Sequence, residues 1–292
     1  MDGGGGTAGL LAVAERCCRE AARLLRARAG RGTDVRTKPG RRFDQVSAAD
    51  TAIEDFLTGA LLAAVPGSAV VGEERGIRPG TSGVTWYVDP VDGTGNYVRG
   101  VPLVCVSVGV AVHGRVVAGC VVDVFRDECF TGGEGLPLRV GPAEPGPRRG
   151  AGAAGVPLVL TDVPLPGRVG RAAMDFLGEL LERAEVRRLY CTALSLAWVA
   201  AGRADAACNL GIHPWDTAAG AALVRAAGGR WTPVGGDPAG PPEHAPGFVA
   251  AGPGADAKAL GDWLCERLTA LAAEDLAGDA AGDAAGDGAP LP

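Results

Sequence analysis

Glu73 in GEE, Asp89 and Asp92 in WYVDPVDGTGNY, and Asp216 in HPWDTAAG are the residues whose type and setting could do chemistry. Each motif stands where a strand pattern gives way to a loop or a helix. A fold that gathers them puts about four negative charges in one small space, where two charges ~4 Å apart repel by about 4 kcal/mol at an effective dielectric of ~20. The motifs supply no Lys or Arg for each acid, so such a cluster takes up protons or binds cations. The donors are carboxylates and a backbone carbonyl, with no His or Cys in the set. These are hard oxygens, which suit magnesium or manganese better than zinc.

DPVDGT is the densest of the motifs. Pro90 biases Asp89 toward extended geometry. The i,i+3 spacing lets Asp89 and Asp92 reach one site around a tight turn, with the Val91 carbonyl directed to the same place. Gly93 has no Cβ, so a ligand can approach its backbone closely. Thr94 falls at the first turn of a short helix, whose free N–H groups suit a phosphate. The bland alternative is that Asp-Pro and Asp-Gly are ordinary turn pairs. Likewise, Asp216 at a helix start could be a simple cap stabilised by the helix dipole. Asp50 is either a capping or solvated acid or, with Thr94, a group that orients water. Lys38 is either a solvated surface lysine or part of a basic arm that touches phosphate. His213 receives no role.

The chain that must position these residues has 292 residues and is 47% hydrophobic, ample for a sizeable core. The net charge of −6 leaves no basic footprint for nucleic acid. The eight cysteines are scattered, with no CxxC pair, which reads as buried reduced thiols in a cytoplasmic protein. The start, MDGGGGTAGL, lacks the pattern of a secretory signal, and no apolar run is long enough to predict a membrane span.

Leu10, Ala14, Cys17, Ala21 and Leu24 recur at helical spacing and predict a helix over 7–29. A basic arm follows from Gly30 to Arg42. Ser47 opens a second helix, with Asp50 in a capping-box-like position, and Pro66-Gly67 ends it. SAVVG leads to Glu73 and VTWYV to Asp89. Residues 103–113 and 115–124 read as two strands joined at His113-Gly114, and DECFT as a third. The Gly/Pro-rich stretch 132–155 marks the best internal boundary. Beyond it the expected order is a strand at VPLVL, a helix over 168–184, a strand over 186–190, a helix over 193–202 and a strand over 204–210. A helix from Trp215 to Ala227, with Ala218-Ala219-Gly220 for close packing, a strand near 247–251 and a helix through Leu271 complete it. The fold class is α+β: an N-terminal α+β part (1–150) carrying the metal and phosphate motifs, and an α/β part (151–272) completing the site. The low-complexity repeat at 273–292 reads as a disordered tail.

GEE, DPVDGTGNYVRGVP and GRADAACNLGIHPWDTAAG, in that order, resemble the inositol monophosphatase family of magnesium-dependent phosphatases over about residues 10–270. The resemblance implies a layered αβαβα sandwich, commonly a homodimer, that hydrolyses phosphate monoesters of small alcohols. It implies that Glu73 and Asp89 with the Val91 carbonyl hold one Mg²⁺, and that Asp89, Asp92 and Asp216 hold a second. Gly93 and Thr94 match the phosphate-binding turn, and Lys38 falls near a family lysine. Thr94 and Asp50 match the pair that orients the attacking water, so Asp50, Thr94 and Glu73 form the expected catalytic set. Five acids and a phosphate dianion sum to about −7, which two or three divalent ions balance. A metal-activated water then displaces the alcohol in line.

The alcohol pocket departs from the family pattern. The expected substrate contacts are Asp92, Tyr190, Thr192, Asn209 and Asp216. Asn209 stands where inositol phosphatases usually carry a glutamate, Tyr190 where glycine is typical, and Thr192 where alanine is frequent. These changes weigh against inositol 1-phosphate, because a site built for one hydroxyl pattern rejects others. Tyr190 could stack on a ring or turn into the core. The expected substrate is a small inositol, sugar, cyclitol or nucleoside phosphate. Alternatives are fructose 1,6-bisphosphate, histidinol phosphate, a 3′-phosphoadenosine nucleotide, or a non-catalytic regulatory role on the same fold. WDTAAG is compatible with the nucleotide branch and DGTGNYV leans to the inositol branch. Nucleic acid and membrane are not expected partners.

Overall fold

The structure, a computed structural model, describes residues 6–30, 35–37, 45–141 and 155–285. The helices are α1 (Thr7–Arg28), α2 (Ala48–Ala64), α3 (Thr94–Arg99), α4 (Arg171–Leu181), α5 (Thr192–Ala200), α6 (Pro214–Ala226) and α7 (Ala255–Ala285). Strands β1 (Val35–Thr37) and β2 (Gln45–Ser47) form a small hairpin. The large sheet is built from β3 (Ala69–Gly72), β4 (Gly76–Arg78), β5 (Val84–Asp92), β6 (Cys105–Val112), β7 (Arg115–Asp123), β8 (Glu128–Gly133) and β9 (Leu136–Gly141), in the order β4-β3-β5-β6-β7-β8-β9. A second sheet, ordered β11-β10-β12-β14-β13, uses β10 (Leu158–Leu160), β11 (Glu185–Arg187), β12 (Ala206–Leu210), β13 (Arg230–Val234) and β14 (Gly247–Ala251).

Five layers result. Helices α1 and α2 cover one face of the large sheet, α5 and α6 lie between the sheets, and α4 and α7 close the far side of the small one. Helix α1 is amphipathic and buries Leu10, Ala14, Cys17, Cys18, Ala21 and Leu25. Helix α5 is different, apolar on all sides, as a helix sandwiched between two sheets must be. One apolar cluster joins Cys105, Val121 and Phe130 of the large sheet to Leu194, Leu196 and Leu223 of the middle helices and Phe248 of the small sheet. The middle layer therefore belongs to both halves. Helix α6 approaches closely because glycines face it: a Cβ on Gly109 would lie 2.6 Å from Ala218 Cβ, and one on Gly119 only 2.3 Å from the Ala219 carbonyl oxygen. The small residues of HPWDTAAG thus set the height of α6 above the sheet, and with it the position of Asp216.

Several expectations need correction. Ser47 ends β2, and α2 begins at Ala48. The stretch 132–155 is not all linker, since β8 extends to Gly133 and β9 occupies Leu136–Gly141. Both β9 and β13 contain proline and were not expected as strands, yet both are edge strands, where a missing N–H is tolerated. The second sheet is mixed: β10 runs parallel to β11 and β12, while β14 is antiparallel to β12 and β13. Helix α7 continues to Ala285, so the segment expected as a tail from 273 lies partly in a helix, and from 286 outside the described residues. Among the described residues, no helix is long and apolar enough to cross a membrane.

Candidate active site

In a regular strand side chains alternate, so residues three apart face opposite ways. Asp89 and Asp92 are three apart on β5, and yet they are brought together. The reason is a bulge: Asp89 pairs with Ser107 and Asp92 with Cys105, three steps on β5 against two on β6. Pro90 sits in the irregular stretch, where its missing N–H breaks no regular ladder. The expected tight turn is therefore a strand that continues through DPVD with one extra residue.

Asp89 is 2% exposed and accepts a hydrogen bond from Val91 N at 3.0 Å. Its carboxyl is held well above the usual carboxylate range, by burial first and then by the charges of Glu73, Asp92 and Asp216. All three acids are near enough for their charges to act on Asp89, so residues of the three sequence motifs share one electrostatic neighbourhood. Burial also raises Asp92, against the hydrogen bonds that favour its charge. Thr192 N (3.1 Å) and Ala193 N (2.6 Å) donate to its two oxygens, so Asp92 caps the start of α5 from across the molecule. Behind it lie two thiols. Cys105 Sγ is 3.6 Å from Asp92 Oδ2 and 3.7 Å from Cys191 Sγ, and burial pushes Cys191 up to about 12, so it stays protonated near neutral pH. The donors facing Asp89 are thus carboxylates, a set that fits a hard cation.

Asp216 is the third residue of α6 and accepts from His213 N at 2.7 Å. The capping role is therefore present, and the charge of Asp216 also acts on Asp89. Glu73 lies in the turn between β3 and β4. That turn is pinned from beneath by Glu54 of α2, whose carboxylate accepts from Glu74 N at 2.7 Å and Arg75 N at 2.8 Å. A Cβ on Gly72 would fall 2.2 Å from Glu54 Oε1, so GEE needs its glycine to seat this buried acid.

Asp50, fully buried on the same helix, accepts from Thr94 Oγ1 at 2.7 Å. The Thr94 hydroxyl also lies 3.0 Å from the Val91 carbonyl, so its single proton has two candidate acceptors. Gly93 adopts φ 92°, a left-handed value. Its missing Cβ serves a different need from the one expected, because a Cβ there would meet Leu103 O at 2.7 Å and Tyr190 O at 3.3 Å. The glycine admits neighbouring backbone. Lys38 lies outside the described residues.

The expected alcohol pocket is rearranged. Tyr190 is 45% exposed, so it does not turn into the core. Asn209 is buried and committed: its Oδ1 accepts from Asp162 N at 2.6 Å, and its amide lies 3.3 Å from Asp162 Oδ2 and 3.4 Å from Thr192 Oγ1. The acceptor expected to face substrate is already engaged. Asp162, Arg188 and Asn96 were not singled out from sequence. Asp162 Oδ1 accepts from Tyr190 N at 3.1 Å, and Asn96 Nδ2 donates to Leu103 O and Leu189 O. Asp162 does follow a strand, as Glu73 does, but a single acid after a strand is too common a pattern to point to a site. Glu54 lies four residues after Asp50 and so on the same face of α2, the one signal that could have found it.

The chain is similar to known proteins over most of its length. Residues 8–271 match the profile of the Inositol monophosphatase family. The chain is 39% identical over 193 residues to an inositol-1-monophosphatase of Mesorhizobium japonicum, covering 64% of this chain and 71% of that one. It is 34% identical over 228 residues to the Nus factor SuhB of Escherichia coli K12, covering 75% and 83%. Among solved structures, the extragenic suppressor protein suhB from Bartonella henselae superposes with a TM-score of 0.75 at 29% identity, over 88% of this chain and 97% of that one.

Proposed function

This chain belongs to the inositol monophosphatase family and is a phosphoric monoester hydrolase; we propose that it is a magnesium-dependent phosphatase for a small inositol, sugar, cyclitol or nucleoside phosphate. The observation that carries this reading is the burial of Asp89 among Glu73, Asp92 and Asp216, beside the Thr94–Asp50 hydrogen bond. Glu73, Asp89, the Val91 carbonyl, Asp92 and Asp216 would hold two or three Mg²⁺ ions. When bound, divalent cations supply charge neutralisation and water activation.

The chain's own groups supply the rest. When the Thr94 hydroxyl donates to Asp50 Oδ1, the nearer of its two acceptors, its oxygen keeps a lone pair with which to accept a hydrogen bond from water and aim that water. The Asp92 carboxylate is fixed by the α5 amides, and the backbone turn that carries Glu73 is seated on Glu54, so neither has to be built when substrate arrives. Gly93 and Thr94 form the turn that would receive phosphate, and Lys38 is assigned to phosphate binding in the same reading. Asp92, Asp216, Tyr190 and Thr192 border the alcohol. A homodimer in the cytoplasm is part of the same reading.

Phosphate release from a panel of inositol, sugar and nucleotide phosphates tests it, with Mg²⁺ or with chelator. Activity that requires Mg²⁺ and is lost in Asp89→Asn supports the proposal; release unaffected by either change sinks it. The relatives named Nus factor favour a second reading, a regulatory protein acting through a partner. In that case the parent releases no phosphate, and Asp89→Asn with Asp216→Asn leaves partner binding intact.

A further inference from the structure

We propose that Tyr190 and Arg188 form an aromatic wall at the edge of the active site that selects phosphate monoesters carrying a planar heterocycle, nucleoside monophosphates above all, over cyclitol phosphates. The inference rests on the phosphatase reading and deepens it.

Tyr190 has φ 49°, a left-handed backbone that bulky residues rarely adopt. Such strain persists only where the surroundings over-determine it, and here they do. Its N–H is held by Asp162 Oδ1 at 3.1 Å. The preceding carbonyl, Leu189 O, accepts from Asn96 Nδ2 at 2.7 Å. Arg188 is anchored by two bonds from Nη2, to Asp162 O at 2.6 Å and Pro164 O at 2.5 Å. Its guanidinium carbon lies 5.2 Å from the centroid of the Tyr190 ring, within cation–π range. The residue nevertheless stays 45% exposed. A large aromatic group is thus kept at the surface in a costly conformation instead of being packed away.

The wall adjoins the chemistry. Two residues on, Thr192 N donates to Asp92 Oδ1, and the carbonyl of Tyr190 itself crowds Gly93. A base can stack on an aromatic–guanidinium pair whatever its sequence of polar atoms, because every base has a π-face. A cyclitol has no such face, and the Asn209 carbonyl that would have met its hydroxyls is spent on Asp162 N. Asp162 is the positioning residue of this arrangement, since it binds Tyr190 N, Asn209 and, through its own carbonyl, Arg188.

The experiment compares the parent, Tyr190→Gly and Tyr190→Phe on adenosine 3′-monophosphate, myo-inositol 1-phosphate and glycerol 2-phosphate. Glycine suits the left-handed backbone, so that variant keeps its fold. Tyr190→Gly is expected to lower kcat/KM for the adenosine substrate about tenfold, the lower range of what one stacked base contributes. The losses on the other two substrates are expected to be smaller, so the adenosine preference narrows, and Tyr190→Phe retains the parent's preference. Equal losses on all three substrates, or none, overturn the proposal. If the parent cleaves none of them, the phosphatase reading fails. Calorimetric binding of adenosine 3′-monophosphate then decides the wall by itself: a tighter complex with the parent than with Tyr190→Gly supports it, and equal affinity removes it.

Discussion

Replacing Asp89 by Asn is expected to stabilise the metal-free protein while abolishing its activity. Asp89 is 2% exposed, and its carboxyl is raised by burial and by Glu73, Asp92 and Asp216. At an effective dielectric of ~20, one like charge ~6 Å away costs about 3 kcal/mol. Partial protonation relieves part of that, which leaves a gain of about 1–2 kcal/mol on removing the charge. The bond from Val91 N survives, because an Asn carbonyl accepts it as well. For a chain of this size about 1 kcal/mol moves Tm by ~2–4 °C, so the variant should melt about 2–8 °C higher in chelator. Magnesium reverses the order. At 100 times its Kd a cation that binds only the folded state adds about 2.7 kcal/mol to the parent, and the variant loses most of that response. Differential scanning calorimetry in chelator and in Mg²⁺, with phosphate release alongside, reads both effects. A variant less stable than the parent in both buffers by the same margin would refute the argument, since Asp89 would then be a satisfied structural acid.

Asp50→Asn or Thr94→Ala should lower kcat by about 10²–10⁴ with KM little changed, the usual effect of losing a positioned proton acceptor; steady-state kinetics with circular dichroism as a fold control checks this. Burial holds the Asp162 carboxyl above the ordinary carboxylate range. The folded state therefore binds this proton more tightly than the unfolded chain, and the contribution is full below the ordinary value and lost as pH rises through the folded one. Asp162→Asn should flatten that decline, as read by urea unfolding across a pH series; an unchanged slope assigns the decline elsewhere. A Cβ at Gly119 would meet Ala219 backbone atoms at 2.3 and 2.6 Å, so Gly119→Ala should cost at least the ~1–3 kcal/mol typical of overpacking and lower Tm without altering metal dependence.

The acid motifs were legible because their chemistry depends on residue type: Glu73, Asp89, Asp92 and Asp216 are hard oxygen donors whatever fold carries them. Spacing also announced α1, α6 and the central strands, since an amphipathic or apolar run needs no knowledge of its partner. Packing decided the rest. The bulge that turns Asp89 and Asp92 to one side depends on pairing with β6, which local sequence does not encode. Asp92 as the cap of α5 joins residues a hundred positions apart. Whether Tyr190 is buried or exposed, and whether Asn209 is free or bonded to Asp162, follows from which neighbours the tertiary fold brings to each polar group. β9 and β13 escaped notice because proline argues against a strand, except at an edge, and only the assembled sheets have edges.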